Sequence, residues 1–235
     1  MSKRMLDLGL LVLTFVFLVF ITIGNEDPVV RQSLFANALP EHLWHAKAIY
    51  KVMYDIGIGG LLSLIFYLLL VRIPENAKRR RIRHSLERQY KIFKQDCLYV
   101  IVGITDHLID PDKVDELLDQ KAFREYFTQR VLPSQDRWHV FLNNVDEAAL
   151  LRIINAVDLF REEIAFALSA TEISSDEAFQ FFKRLSGVIH SIRSTELGYD
   201  EIKPLSRFLW TLFSGFDFVT GYRKEDLVAK MIRSI

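Results

Sequence analysis

Six histidines, one cysteine and thirty carboxylates are the raw material for chemistry in this 235-residue chain. His107 stands three residues before Asp110, a spacing at which a carboxylate can orient an imidazole as general base. The sequence brings no partner nucleophile within reach of that pair. His42 and His45 lie one helical turn apart and could share a metal or sense pH. Two imidazoles without a third ligand read as exposed or interfacial residues. The stretch Asp110-Pro111-Asp112-Lys113-Val114-Asp115-Glu116 hints at a calcium loop, but it has no glycine turn, and Lys121 stands where the closing glutamate belongs. It reads instead as a helix N-terminus with favourable dipole charges. His139 and His190 each stand alone and read as core-edge residues, and Asp158, Glu162 and Glu163 as the solvated face of a helix. The lone Cys97 excludes an intrachain disulfide and a cysteine-based zinc cluster. No phosphate-binding glycine loop, dinucleotide fingerprint, zinc-protease helix or serine elbow is present. The expectation is a non-enzyme with no catalytic, cofactor or metal residues.

The elements that would position such residues point elsewhere. Leu6 to Ile23 reads LDLGLLVLTFVFLVFITI, with Asp7 its sole charge and fourteen of its eighteen residues Leu, Ile, Val or Phe. As a helix it is about 27 Å long, close to the hydrocarbon thickness. Its insertion is favourable by roughly 4–8 kcal/mol as an upper bound. A signal peptide is the alternative, with Ser2-Lys3-Arg4 as its basic start. The run is too long for that, however, and the nearest cleavage-like site, Ala36-Asn37-Ala38, lies too far downstream. A retained anchor is expected. The second run, Ile56 to Val71, spans about 24 Å and is extended by Tyr50, Met53 and Tyr54 at one end and a snorkelling Arg72 at the other. Trp44 and the two tyrosines suit an interfacial aromatic belt.

Flanking cations set the expected orientation. Lys3 and Arg4 precede the first run, nine Lys or Arg occupy the 23 residues from Arg72 to Lys94, and the intervening loop, Gly24 to Asp55, has only Arg31, Lys47 and Lys51. Both termini are therefore expected in the cytoplasm, with a short outer loop. In that loop, Asp27-Pro28 and Pro40-Glu41 look like helix starts. The run Lys78, Arg79, Arg80, Arg81, Arg83 directly after the second span reads as a stop-transfer collar facing anionic headgroups rather than a nucleic-acid patch. Zero formal net charge likewise argues against a nucleic-acid binder. Gly57, Gly59, Gly60 and Ser63 gather on the second run at spacings that let helices approach closely. They could pack on the first run of the same chain or form a self-association face. No charge lies mid-span, as a pump or voltage sensor would need, and two helices cannot enclose a pore.

Residues 85–235 hold 19 basic and 24 acidic side chains and form a second expected domain beside the hairpin of residues 1–84. Helical spacing runs almost throughout: to Ile109 with Ile92, Phe93, Leu98, Ile101, Val102 and Leu108 inward; Asp112 to about Val131; a short helix at Trp138–Leu142; a long one to Ala170 capped by Asp146; Ser175 to Ser194; Pro204 to about Phe213; and Lys224 to Ile235. Late aromatics, from Phe179 through Phe218 to Tyr222, exceed what one core stripe can hold and leave material for a protein-contact surface. The fold class is thus all-α, a two-helix transmembrane hairpin followed by a helical cytoplasmic domain.

This layout (Leu6–Ile23, short loop, Ile56–Val71, basic collar Lys78–Arg83, helical tail) resembles the two-transmembrane effectors of bacterial retron anti-phage defence systems. The resemblance rests on organisation and carries over no functional residue. It implies an inner-membrane effector that accompanies a reverse transcriptase with its RNA–DNA hybrid, is released on phage interference, and damages the inner membrane; the small-residue face of the second run adds the expectation of a homo-oligomer. A membrane-anchored adaptor whose tail binds a protein partner is the alternative.

Overall fold

The computed structural model describes residues 3–25, 44–106, 110–132, 134–173, 175–193, 195, 198 and 200–235, and these are almost wholly helical. They divide into two compact units, residues 1–78 and 79–235. The expected helix starts at Asp27 and Pro40, together with His42, His107 and Leu108, fall outside the described residues.

The first unit is an antiparallel helical pair. Helix α1 (Lys3–Gly24) packs against α2 (Trp44–Tyr67), which passes through one π-helical turn (Leu68–Arg72) into α3 (Ile73–Asp106). Half-buried or buried positions on α2 and into the π turn recur as Tyr50, Met53, Tyr54, Gly57, Gly60, Leu61, Leu64, Tyr67 and Leu68, three then four apart. That period of about 3.5 is the seam of a left-handed helix pair. The apolar sequence hides it, because leucines and phenylalanines continue around the rest of both helices.

In the second unit polar caps punctuate the chain. The side chain of Asp110 accepts from the backbone N–H of Asp112, Asp119 from Lys121 and Ala122, Asp136 from His139, Asp146 from Ala149, Ser175 from Ala178 and Asp226 from Ala229. They open α4 (Pro111–Glu116), α5 (Gln120–Phe127), α6 (Arg137–Asn144), α7 (Glu147–Ala170), α8 (Asp176–Ile192) and α10 (Leu227–Arg233), while α9 (Lys203–Ser214) starts on Pro204. Each such cap satisfies an orphan amide, for about 1 kcal/mol. Two small antiparallel ribbons complete the unit, β1 (Arg130–Leu132) with β2 (Gln135–Asp136) and β3 (Phe216–Asp217) with β4 (Gly221–Tyr222).

Two expectations need correction. The helix expected over 112–131 is broken at Leu117–Asp119, where Asp119 caps a new helix, and its end is drawn into the β1–β2 ribbon. Ile92, expected inward, is 38% exposed. The core seam of α3 runs through Ile82, Leu86, Tyr90, Phe93, Cys97 and Ile101 instead. Phe93 stacks on Phe160 with ring centroids 5.1 Å apart and meets Phe213 at 5.8 Å. Phe123 extends this cluster to Phe213 and Trp138, and Trp138 to Trp210. The Trp138 indole N–H donates to Ser206 Oγ at 3.3 Å, so this polar edge of the cluster is satisfied.

Candidate functional site

The four small residues of the hairpin do not act alike. A Cβ at Gly57 would lie 2.8 Å from Ile21 Cγ1 and 3.0 Å from the Phe17 carbonyl, and one at Gly60 would collide with the Phe17 ring. Gly24, near the end of α1, meets Tyr50 and Tyr54 in the same way. These glycines let the backbones of α1 and α2 come together. A Cβ at Gly59 would meet nothing within 4 Å, and Ser63, also exposed, donates its hydroxyl to the Gly59 carbonyl at 2.8 Å. Gly59 and Ser63 therefore form an outward track whose hydroxyl is already satisfied by its own helix.

At the far end of the pair Arg72 meets the start of α1. Its side chain is 16% exposed and its guanidinium donates to Asp7, tying the π turn to the start of α1. Asp55 is exposed near Gly24, at the other end. Between these ends the outer surface is large and apolar: Leu11, Phe15, Leu18, Ile58, Leu62, Phe66 and Leu70 are all between 36% and 72% exposed. Both α1 and the helix that begins with α2 are long and apolar enough to cross a membrane. Of the basic collar, Lys78, Arg80 and Arg81 are exposed while Arg79 and Arg83 are half-buried, because the Ile82–Leu86 seam turns the helix flank on which they stand.

The second unit holds a cleft of about 170 Å³ lined by Phe181, Leu185 and Val188 of α8, Phe208 and Leu212 of α9, and Phe216 of β3. Asp217, Arg223 and Asp226 are its charged residues, beside Gln120 and Thr211. Adjacent Phe181 and Phe182 divide the labour: Phe182 is 1% exposed in the core, while Phe181 faces the cleft. The charged residues are internally paired. Arg223 donates to Asp217, and the Asp217 carboxylate accepts the amides of Val219 and Thr220 at 2.8 and 3.1 Å. Those amides, then the guanidinium, hold the Asp217 carboxyl below the usual range. Behind the wall, Tyr90 donates to Asp226 at 2.9 Å and Lys94 donates to the Leu118 carbonyl at 2.6 Å and to Asp226 at 3.5 Å. Burial pushes the Lys94 ammonium down and the Tyr90 phenol up.

The β3–β4 ribbon beside this cleft projects a tip. Gly215 (φ +68°) takes the left-handed conformation that ends α9, and a Cβ there would lie 2.5 Å from Gln120 Oε1. Arg124 donates to the Ser214 carbonyl at 2.6 Å and lies 4.7 Å over the Tyr222 ring, fastening the ribbon to α5. Beyond that anchorage, Phe218 and Val219 are 79% and 92% exposed. Composition alone placed Phe218 among excess aromatics but could not say which of them leaves the core.

The other chemical candidates disperse. Asp110 caps α4, and no group of three or more metal-ligating side chains occurs among the described residues. His139 pairs with Asp136 at 2.7 Å and is exposed, as is His190, so neither lies at a core edge. Asp158 is not free on a solvated face: it pairs with Arg193 at 2.8 Å and Arg161 at 3.4 Å, joining the end of α8 to α7. No family model matches the chain, and neither curated proteins nor solved structures return a match.

Proposed function

We propose that the chain is a two-span membrane effector of the bacterial inner membrane, with residues 79–235 in the cytoplasm and an antiviral, abortive-infection role. The observation that supports this most is the surface of the hairpin. Its inner seam is closed by Gly24, Gly57 and Gly60, yet its perimeter is apolar around both helices, a surface that hydrocarbon solvates and water does not. The outward Gly59–Ser63 track gives a second hairpin a place to approach, so that assembled hairpins disturb the bilayer while the isolated pair does not. A cytoplasmic partner, a reverse transcriptase with its RNA–DNA hybrid on the resemblance, would hold the protein silent. Controlled expression without any partner, followed with a membrane-potential dye, tests this. Depolarisation that disappears with Gly59→Leu is expected, and unchanged polarisation at full expression contradicts the reading.

A second reading, a membrane-tethered adaptor, is favoured by the cleft and by the exposed Phe218–Val219 tip. It expects function to survive replacement of residues 1–78 by an unrelated two-span anchor, which the effector reading does not.

A further inference from the structure

We infer that the second unit docks on anionic phospholipid headgroups through one face of α3, formed by Arg80, Arg81, His84, Arg88 and Lys91. The inference rests on the two-span reading above and adds to it the surface by which the second unit meets the bilayer.

Three observations carry it. The first is the face itself. Arg81, His84, Arg88 and Lys91 stand three, four and three residues apart, which puts them on one side of a helix, and all are exposed, with Arg80 beside them. Ile82, Leu86, Tyr90 and Phe93 of the same helix are buried in the core, so packing fixes which way the cations point. Arg88 and Lys91 lie beyond the Lys78–Arg83 run, and Arg79 and Arg83 of that run turn half inward. The binding surface is therefore a stripe on the second unit and not a ring around the helix. From Arg80 to Lys91 it runs about 16 Å, against about 5–7 Å for the headgroup layer of one leaflet, so the whole stripe meets headgroups when α3 lies along the surface. Helices bend at π turns and prolines, and both stand just before the stripe, at Leu68–Arg72 and Pro74. The second observation is pairing. Elsewhere in the unit Arg137 pairs with Asp106, Arg161 and Arg193 with Asp158, and Arg233 with Glu225. Among the described residues Arg80, Arg81, Arg88 and Lys91 have no ion pair, and Glu87, the one acid of residues 79–91, lies 3.9 Å from His84. These charges are left for an external anion. The third is the distribution of charge. Residues 79–91 hold six Lys or Arg and one acid, whereas residues 92–235 hold 17 basic and 23 acidic side chains. An anionic surface attracts the first segment and repels the remainder, which orients the unit with this face toward the lipid.

The test places a bimane label at His84→Cys, in the middle of the stripe, in full-length protein reconstituted into vesicles that carry a headgroup nitroxide lipid. The vesicles are phosphatidylcholine alone, or equal parts phosphatidylcholine and phosphatidylglycerol. Cys97 is fully buried with its thiol pushed up by burial, which makes the wild type the blank. At low ionic strength the nitroxide should quench the label about threefold more in the phosphatidylglycerol vesicles, and salt should remove the excess. The triple change Arg81→Gln, Arg88→Gln and Lys91→Gln should return quenching to the phosphatidylcholine level. Lys183→Gln, Lys224→Gln and Lys230→Gln, which remove equal charge from exposed positions elsewhere, should leave the excess in place. Equal quenching in the two vesicles overturns the inference, as does an excess that survives the first triple change or is lost equally with the second. Flat quenching together with a duplex oligonucleotide that shifts the label's emission overturns it in favour of nucleic-acid phosphates. A nitroxide at Phe15→Cys reports the hairpin separately in the same vesicles. Position 15 in hydrocarbon with flat quenching at position 84 overturns this inference alone, whereas position 15 in water overturns the two-span reading with it.

Discussion

The hairpin and the second unit are built with opposite surfaces. In the hairpin the smallest residues are inside, where Gly57 and Gly60 hold α2 against Phe17 and Ile21, and the large side chains, Phe15, Leu62 and Phe66 among them, point away from the seam. In the second unit Phe93, Phe123, Phe127, Phe160 and Phe213 are at most 1% exposed, and the helices turn charges outward. Aromatic packing that excludes water organises one region; close backbone approach at glycines organises the other. On the reading proposed here the difference is one of solvent, hydrocarbon around the hairpin and water around the rest.

The widest gap between the regions is expected from truncating large side chains. Phe160→Ala empties the centre of the aromatic cluster and should destabilise the second unit by about 3–5 kcal/mol. Phe15→Ala on the hairpin perimeter should leave helix pairing and thermal stability in detergent unchanged, and equal losses at the two positions would break the comparison. Glycine enlargement sharpens it from the other side. Gly60→Leu overpacks the seam against Phe17 and should cost roughly 1–3 kcal/mol, read as loss of an α1–α2 cross-link, whereas Gly59→Leu should leave the hairpin folded.

Alkaline titration separates the regions by pH. The Cys97 thiol is held protonated by burial, so above its ordinary value of 9.0 the unfolded chain releases a proton that the folded one keeps. Stability of the second unit should therefore fall as pH rises beyond that point, by about 1.4 kcal/mol for each pH unit from this group. Tyr126, pushed up to about 12 by burial and its bond to Asp106, adds to the fall above pH 10, while Lys94, pushed down by burial, opposes it up to its ordinary 10.5. Thermal melts between pH 8 and 11 should show a shallower slope for Cys97→Ala. The smallest effect belongs to Asp7→Asn: with Asp7 about half exposed, loss of its pair with Arg72 should shift hairpin stability by less than about 1 kcal/mol.

What the sequence revealed follows from how local each signal is. Asp110, Asp146 and Ser175 announce helix starts within one turn, and the structure uses each as a cap. Asp119 gives the same signal, but Leu117, Leu118, Phe123 and Phe127 keep helical spacing across it and conceal the break. Strands of two or three residues are too short to show a period. The hairpin seam was hidden for the opposite reason, an apolar run with no polar face to mark its reverse. Small residue type suggests close approach at Gly57, Gly59, Gly60 and Ser63, but only the structure separates the inward pair from the outward one. The cleft draws on α5, α8, α9, the β3–β4 ribbon and the start of α10, so no stretch of sequence contains it.

The account depends on the hairpin perimeter meeting hydrocarbon, and collision accessibility of a nitroxide label measures this most directly. With labels attached through Phe15→Cys, Leu62→Cys and Leu151→Cys in reconstituted full-length protein, the first two should collide mainly with oxygen and the third mainly with a water-soluble nickel complex. Nickel-dominated collisions at positions 15 and 62 would contradict it.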